Sequence, residues 1–200
     1  MRRSVGGLVL LGGLGGCASA GVTPRPVLPV PAGRPGEAWL TARLGEGARA
    51  LVALLPQGAE ATVRALRMEA GHRVALLDAS GQARAAQGTI GGAPGEGGPR
   101  WVRMRRLRGS TLAGWCARGV RVVDAGTEGF AQRVLVVDRL LMVGREADGL
   151  WGVWVEGLAL TSDGWRVLPW ISWARAIEAP RRDHGDAELW DCDLGVRPSP

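Results

Sequence analysis

The chain has no Lys, no Asn and no Tyr, one Phe (Phe130) and only three Ile. Without Lys there is no phosphate-loop lysine, no Schiff-base lysine and no kinase strand lysine. No Ser stands in G-x-S-x-G, so the hydrolase nucleophile elbow is missing. There is no C-x-x-C, no H-E-x-x-H, and no G-x-G-x-x-G outside the first seventeen residues. His72 and His184 are the only side chains with an ordinary pKa near neutrality that can act as bases. The depleted residues are those with A/T-rich codons, which points to a G/C-rich genome before it points to function. Against these absences stand 32 Gly, 25 Arg and nine Trp, with Trp serving as the large aromatic filler.

Arg2 and Arg3 open the chain, and an apolar run from Val5 to Gly16 follows, closed by Leu14-Gly15-Gly16-Cys17. A positive start, a short apolar stretch and small residues make the layout of an export signal. The run is shorter than the roughly 20 residues needed to span a bilayer. The closing tetrapeptide resembles the lipobox of bacterial lipoproteins. That resemblance implies lipidation of Cys17, a mature chain beginning there, and, with Ala18 next, delivery to the outer membrane facing the periplasm. Several acyl chains on one residue anchor stably where a single chain does not. Ala18-Ser19-Ala20 is a rival cleavage pattern, and cutting there releases a soluble periplasmic protein.

Removing Arg2 and Arg3 takes 25 cations to 23 against 19 acids, a modest excess. No long basic stripe with stacking aromatics accompanies it, so nucleic acid is not an expected partner. With Cys17 lipidated or removed, Cys116 and Cys192 remain as an even pair in an oxidising compartment, and a disulfide between them is expected.

The organisation follows from composition. Residues 1–16 form the signal and 17–36 a Pro-rich tether, whose extended form reaches up to roughly 60 Å. Residues 37–196 make one β-rich domain, and 197–200 a tail. Glu37–Leu55 reads as two short elements with a bend, because Gly45 and Gly47 interrupt its helical spacing. Arg73–Leu77, Asp78-Ala79-Ser80-Gly81 and the stretch to Ile90 read as a meander. Gly91–Pro99 is a loop. Trp101–Leu107 and Val120–Val123 read as strands. Thr127–Val143 carries both a helix signal, Phe130, Val134, Val137 and Leu141, and a strand signal, Val134–Val137. Trp151–Leu160 and Trp165–Trp173 form a hairpin around Asp163-Gly164, with both faces apolar. Trp154, Leu158, Leu160 and Trp165 are placed on one face, Trp151, Val153 and Val155 on the other. Such a hairpin is either enclosed or keeps a face for a partner. Pro169 sets its second strand at an edge. The expected fold is mainly β, a small antiparallel sandwich or partly open barrel with at most one helix; the alternative is α+β.

Four constellations bear on chemistry. Arg100, Arg103, Arg105, Arg106 and Arg108, interleaved with Trp101, Val102, Met104 and Leu107, suit phosphate recognition by guanidinium forks; the alternative is pairing with the acidic C-terminal segment. Trp154 and Trp170 are candidate contacts for a partner or glycan, or else core. Asp183, Asp186, Glu188, Asp191, Asp193 and His184 crowd eleven residues, yet match no calcium-loop spacing, so no metal or cofactor is assigned. Asp191-Cys192-Asp193 faintly resembles the cysteine start of NlpC/P60 cell-wall endopeptidases. The family's Ser and downstream His are missing, and flanking carboxylates raise a thiol's pKa, the wrong direction for a nucleophile. The leading expectation is a non-catalytic envelope lipoprotein that binds an envelope protein through the Trp-rich hairpin. The second is a binder of anionic lipid, lipopolysaccharide or glycan through Arg100–Arg108, and the third a Cys/His enzyme.

Overall fold

The first half of the domain is helical, and this overturns the mainly-β expectation. The computed structural model describes residues 22–88, 98–147, 149–182 and 192–196. The export signal, Cys17, residues 91–97 of the expected loop, the acidic run from Asp183 to Asp191 with His184, and the tail lie outside them. Helix accounts for 37% and strand for 33%, an α+β fold with an open antiparallel sheet.

α1 (Glu37–Leu54) runs unbroken for 18 residues where a bend is expected. Gly45 and Gly47 are the reason: both are buried, and each lets a tryptophan ring lie against the helix. A Cβ at Gly47 would stand 2.2 Å from Trp165 Nε1, and one at Gly45 3.2 Å from Trp115 Nε1. Glycine costs a helix about 1 kcal/mol, and burying two indoles against it outweighs that. A 3-10 turn (Leu55–Gln57) leads into α2 (Ala59–Leu66).

The expected meander is two helices, α3 (Ala70–Leu76) and α4 (Ala79–Gly88). The Asp-x-x-Gly break is real, but it starts a helix instead of turning a hairpin: the Gly81 N–H donates to Asp78 Oδ1 at 2.9 Å. That bond, foremost, holds the half-buried Asp78 carboxyl below its ordinary range. α5 (Pro99–Arg105) replaces the strand expected at Trp101–Leu107. Pro99 sits in its first turn, where a missing N–H costs nothing, and the buried Trp101, Met104 and Leu107 recur every third residue.

Three 13-residue strands form the sheet: β1 (Thr111–Val123), β2 (Val134–Glu146) and β3 (Gly149–Thr161). β4 (Gly164–Val167), β5 (Arg181–Arg182) and β6 (Leu194–Val196) complete it. The order is β4-β3-β2-β1-β6, with β5 beside β4 on β3. Strand is thus the outcome at Val134–Val143, and the helix alternative falls. The expected hairpin forms, with Ser162-Asp163 as its loop because Thr161 pairs Gly164. Its second strand stops at Val167, two residues before Pro169, and Trp173 begins α6 (Trp173–Ala176).

One transverse row shapes the sheet. Arg118 pairs Arg139 and Val120 pairs Val137; Arg139 pairs Glu156 and Val137 pairs Leu158. Gly119, Asp138 and Gly157 therefore lie in line. In all three strands the side chains facing the main core change parity across this row. Trp115 and Ala117 give way to Val120 and Val122, Met142 and Leu140 to Val137 and Leu135, and Val153 and Val155 to Leu158 and Leu160. Gly119 (φ 64°) and Gly157 (φ 63°) occupy the left-handed region that makes the slip. Because the slips coincide, pairing register survives. They also correct the expected faces: Leu158 and Leu160 join Trp151, Val153 and Val155, while Trp154 lies opposite.

α1, α2, α5 and the 3-10 turn cover one sheet face. On the other, Leu76, Leu77, Ala85 and Phe130 cover Val134, Val136 and Ala159, while Cys116, Leu141, Val143 and Trp154 form a separate cluster with Cys192. Residues 22–36 of the Pro-rich segment lie along this body as a strap. The Arg25 N–H donates to the Gly71 carbonyl at 3.2 Å, Leu28 and Val30 pack on the main core, and Pro35 is buried.

Candidate functional site

α5 is too short to order itself and is fixed by what it buries. Trp101 (1% exposed), Met104 (0%) and Leu107 (5%) anchor it to the core, so helical geometry turns Arg103, Arg105, Arg106 and Arg108 outward, all exposed. Arg100 is half-buried and differs: its Nη1 donates to the Ala174 carbonyl at 3.0 Å and more weakly to that of Trp173 at 3.5 Å. Among the described residues Arg103, Arg106 and Arg108 have no acidic partner within 4 Å. The exposed Val102 adds an apolar edge. The structure thus gathers four of the five arginines into one exposed cationic patch and gives the fifth a structural task. Apart from Asp193, the acidic segment expected as their partner lies outside the described residues.

The tryptophans are placed differently. Trp154 is 9% exposed and packs beside Cys116 and Leu141. The Arg139 guanidinium lies 5.3 Å from its ring centroid and is itself held by Glu156 and Glu178. Trp170 is half-buried, edge-on to Phe130 at 5.8 Å, with the Arg84 guanidinium 4.1 Å over its ring. Trp151 and Trp165 are buried. The hairpin is therefore enclosed on both faces, the first of its two alternatives.

Cys116 and Cys192 are joined by the expected disulfide, with Cα atoms 5.6 Å apart. It fastens the β6 segment to β1, where Trp115–Ala117 pair Leu194–Val196. Asp193, counted in the acidic run, accepts the Gly119 N–H at 2.8 Å. Among the described residues no group of three or more His, Cys, Asp or Glu is placed to hold a metal ion.

One constellation escaped the sequence reading because its members lie far apart in the chain. His72, 1% exposed, accepts the Glu69 N–H at Nδ1 (3.2 Å), which leaves its proton on Nε2 to donate to Asp163 Oδ1 at 2.8 Å. The Thr161 hydroxyl donates to the same oxygen at 2.8 Å, and Arg25 and Arg166 each lie 2.9 Å from Oδ2. Burial pushes the Asp163 carboxyl up, but the hydrogen bonds from Thr161 and His72 and the Arg166 charge outweigh it, bringing its pKa down to about 2. With both ring nitrogens engaged, His72 has no lone pair left for a substrate. Beside it, a cleft of about 400 Å³ between α1, α2 and the hairpin turn is lined by Leu51, Leu54, Leu66 and Leu160. Its rim charges pair among themselves, Arg43 with Glu46 and Arg166 with Asp163.

Comparison with protein-family models, curated proteins and solved structures finds no match to this chain. No helix among the described residues is long and apolar enough to cross a membrane.

Proposed function

We propose that this chain is a non-catalytic envelope lipoprotein, anchored through Cys17 at the outer membrane, whose α5 arginines engage the phosphate groups of anionic lipids. The observation that carries the reading is the division of labour across α5 and the turn that follows it: Trp101, Met104 and Leu107 are buried, and Arg103, Arg105, Arg106 and Arg108 are exposed. Guanidinium forks match phosphate oxygens two at a time. An arginine near an anionic membrane surface contributes about 1 kcal/mol. This reading is preferred to binding through the Trp-rich hairpin, whose Trp151, Trp154 and Trp165 rings are buried.

The strap supports the geometry. With Arg25 fastened to Glu69 and Asp163, an anchor at Cys17 would stand at most roughly 27 Å of chain from that point. Arg25 sits at the hairpin-turn end of β3, whereas the segment after α5 reaches the other end, where Trp151 Nε1 donates to Ser110 Oγ at 3.1 Å.

The test is co-sedimentation of the chain from residue 17 onward, carrying Cys17→Ser, with vesicles containing phosphatidylglycerol or only phosphatidylcholine. Binding to the anionic vesicles that fades with salt is expected. Replacing Arg103, Arg106 and Arg108 with Gln should weaken it on the order of a hundredfold, at about 1 kcal/mol per residue. Equal binding by the triple variant, or none at low salt, refutes the lipid role. The intact mass of the membrane-extracted protein checks the anchor: a chain starting at Cys17 plus acyl groups is expected, and a start at Met1 excludes it.

A further inference from the structure

A second cationic site lies between the strap and the β1 edge. A cavity of about 410 Å³ is walled by Leu40 of α1, by Val120 of β1, by Leu135 of β2, and by strap residues 33–35. Its charged lining residues are Arg34, Arg121 and Arg133; among the described residues no acidic side chain lines it. The three belong to separate stretches, strap, β1 and the start of β2, and the tertiary fold alone assembles them.

Their donors are unequally used. Arg133 gives one Nη to the Gly33 carbonyl and lies 3.2 Å from Asp124 through the other. Its Nε is buried with no hydrogen-bond partner among the described residues. A buried unpaired guanidinium N–H is uncommon and asks for an acceptor. Arg121 spends its two Nη atoms on Asp138 and Glu128. Arg34 is exposed and has no side-chain partner among the described residues. Asp124, Glu128 and Asp138 all stand on the solvent side as exposed ion pairs. Such pairs are worth little and yield to a better acceptor.

We propose that this cavity binds a phosphomonoester. Three arginines lining one cavity, two of them held only by exposed ion pairs and a carbonyl, suit a compact dianion with several acceptor oxygens. The walls of Leu40, Val120 and Leu135 accommodate an apolar substituent next to it. The phosphate is carried either by a lipid headgroup or by a small soluble molecule. The site shares no residue with α5 and does not depend on the lipid anchor.

Calorimetric titration of the chain from residue 17, carrying Cys17→Ser, tests it with two probes, inorganic phosphate and a short-chain phosphatidic acid kept below its micellar concentration. Saturable binding is expected. Arg34→Gln should weaken it about tenfold, the loss of one charge-assisted interaction, with an unchanged melting temperature because Arg34 holds nothing else in place. Arg121→Gln should weaken it similarly, whereas Arg103→Gln on α5 and Arg64→Gln on α2 should leave it intact. Binding of both probes identifies the phosphate itself as the determinant, and binding of the phosphatidic acid alone identifies a lipid headgroup. No saturable binding of either probe, or affinity indifferent to Arg34→Gln and Arg121→Gln, overturns the proposal.

Discussion

Asp163 ties three separate parts of the chain together through its two carboxylate oxygens: the strap by Arg25, α3 by His72, and its own hairpin by Thr161 and Arg166. Its replacement by Ala leaves the buried His72 N–H without an acceptor, and the cost should be about 1–3 kcal/mol, read from urea denaturation. The ionised carboxylate is favoured in the folded protein, with a pKa of about 2 against an ordinary 3.8. A depressed value stabilises above the unfolded pKa, and that contribution fades as pH falls through the folded one. The melting temperature should therefore drop between pH 4 and 2. In Asp163→Asn that part of the drop should disappear; an identical profile for the two proteins would discard the ionic role. At this scale the sequence conveyed little. An Asp-Gly pair before a Trp-rich strand announces a turn, but nothing local says that a histidine 91 residues away lies under it.

At the level of elements, short spacing rules succeeded where one periodicity governs a segment and failed where Ala and Gly blur it. α5 was misread because Arg at alternating positions imitates a strand, while Trp101, Met104 and Leu107 keep a three-residue rhythm. In α1 the two glycines look like breaks until Trp115 and Trp165 arrive from the sheet. The hairpin of β3 and β4 was legible, yet Gly157 reverses its faces in mid-strand, a change that positive φ brings and side-chain patterning does not announce. Gly157→Ala should cost about 1–3 kcal/mol, because a side chain at φ 63° is strained and its Cβ would lie 2.6 Å from Ile171 Cγ1. Gly36→Ala, with open space around it and an extended backbone, serves as a near-neutral comparison in the same denaturation series. Equal stability of the two variants would mean that the transverse row is not under strain.

For the molecule as a whole, the disulfide and the strap hold opposite ends of the described chain to the sheet. Cys116 and Cys192 are 76 residues apart, and closing so long a loop stabilises by roughly 4–5 kcal/mol in the chain-entropy model. The double variant Cys116→Ala/Cys192→Ala should lose stability on that order, with β6 the first segment to exchange its amide protons. If the variant melts with the wild type, the staple is ornamental to the fold. The strap has a different energetic basis, apolar burial of Leu28, Val30 and Pro35 plus the Arg25 ion pairs, so it should persist in the disulfide variant.

By itself the sequence determined the expectation that Cys116 pairs Cys192, the arginine cluster at α5 and the turn after it, and the existence of the hairpin. Each rests on residues adjacent in the chain or, for the cysteines, on simple arithmetic. Only the tertiary structure decided that the Pro-rich segment lies against the body, that Trp151, Trp154 and Trp165 are interior, and that Arg34, Arg121 and Arg133 meet around one cavity. Those outcomes depend on which surfaces come together once α1 and the sheet exclude water from their shared face. Burial of that kind is a property of pairs distant in sequence, and local spacing carries no record of it.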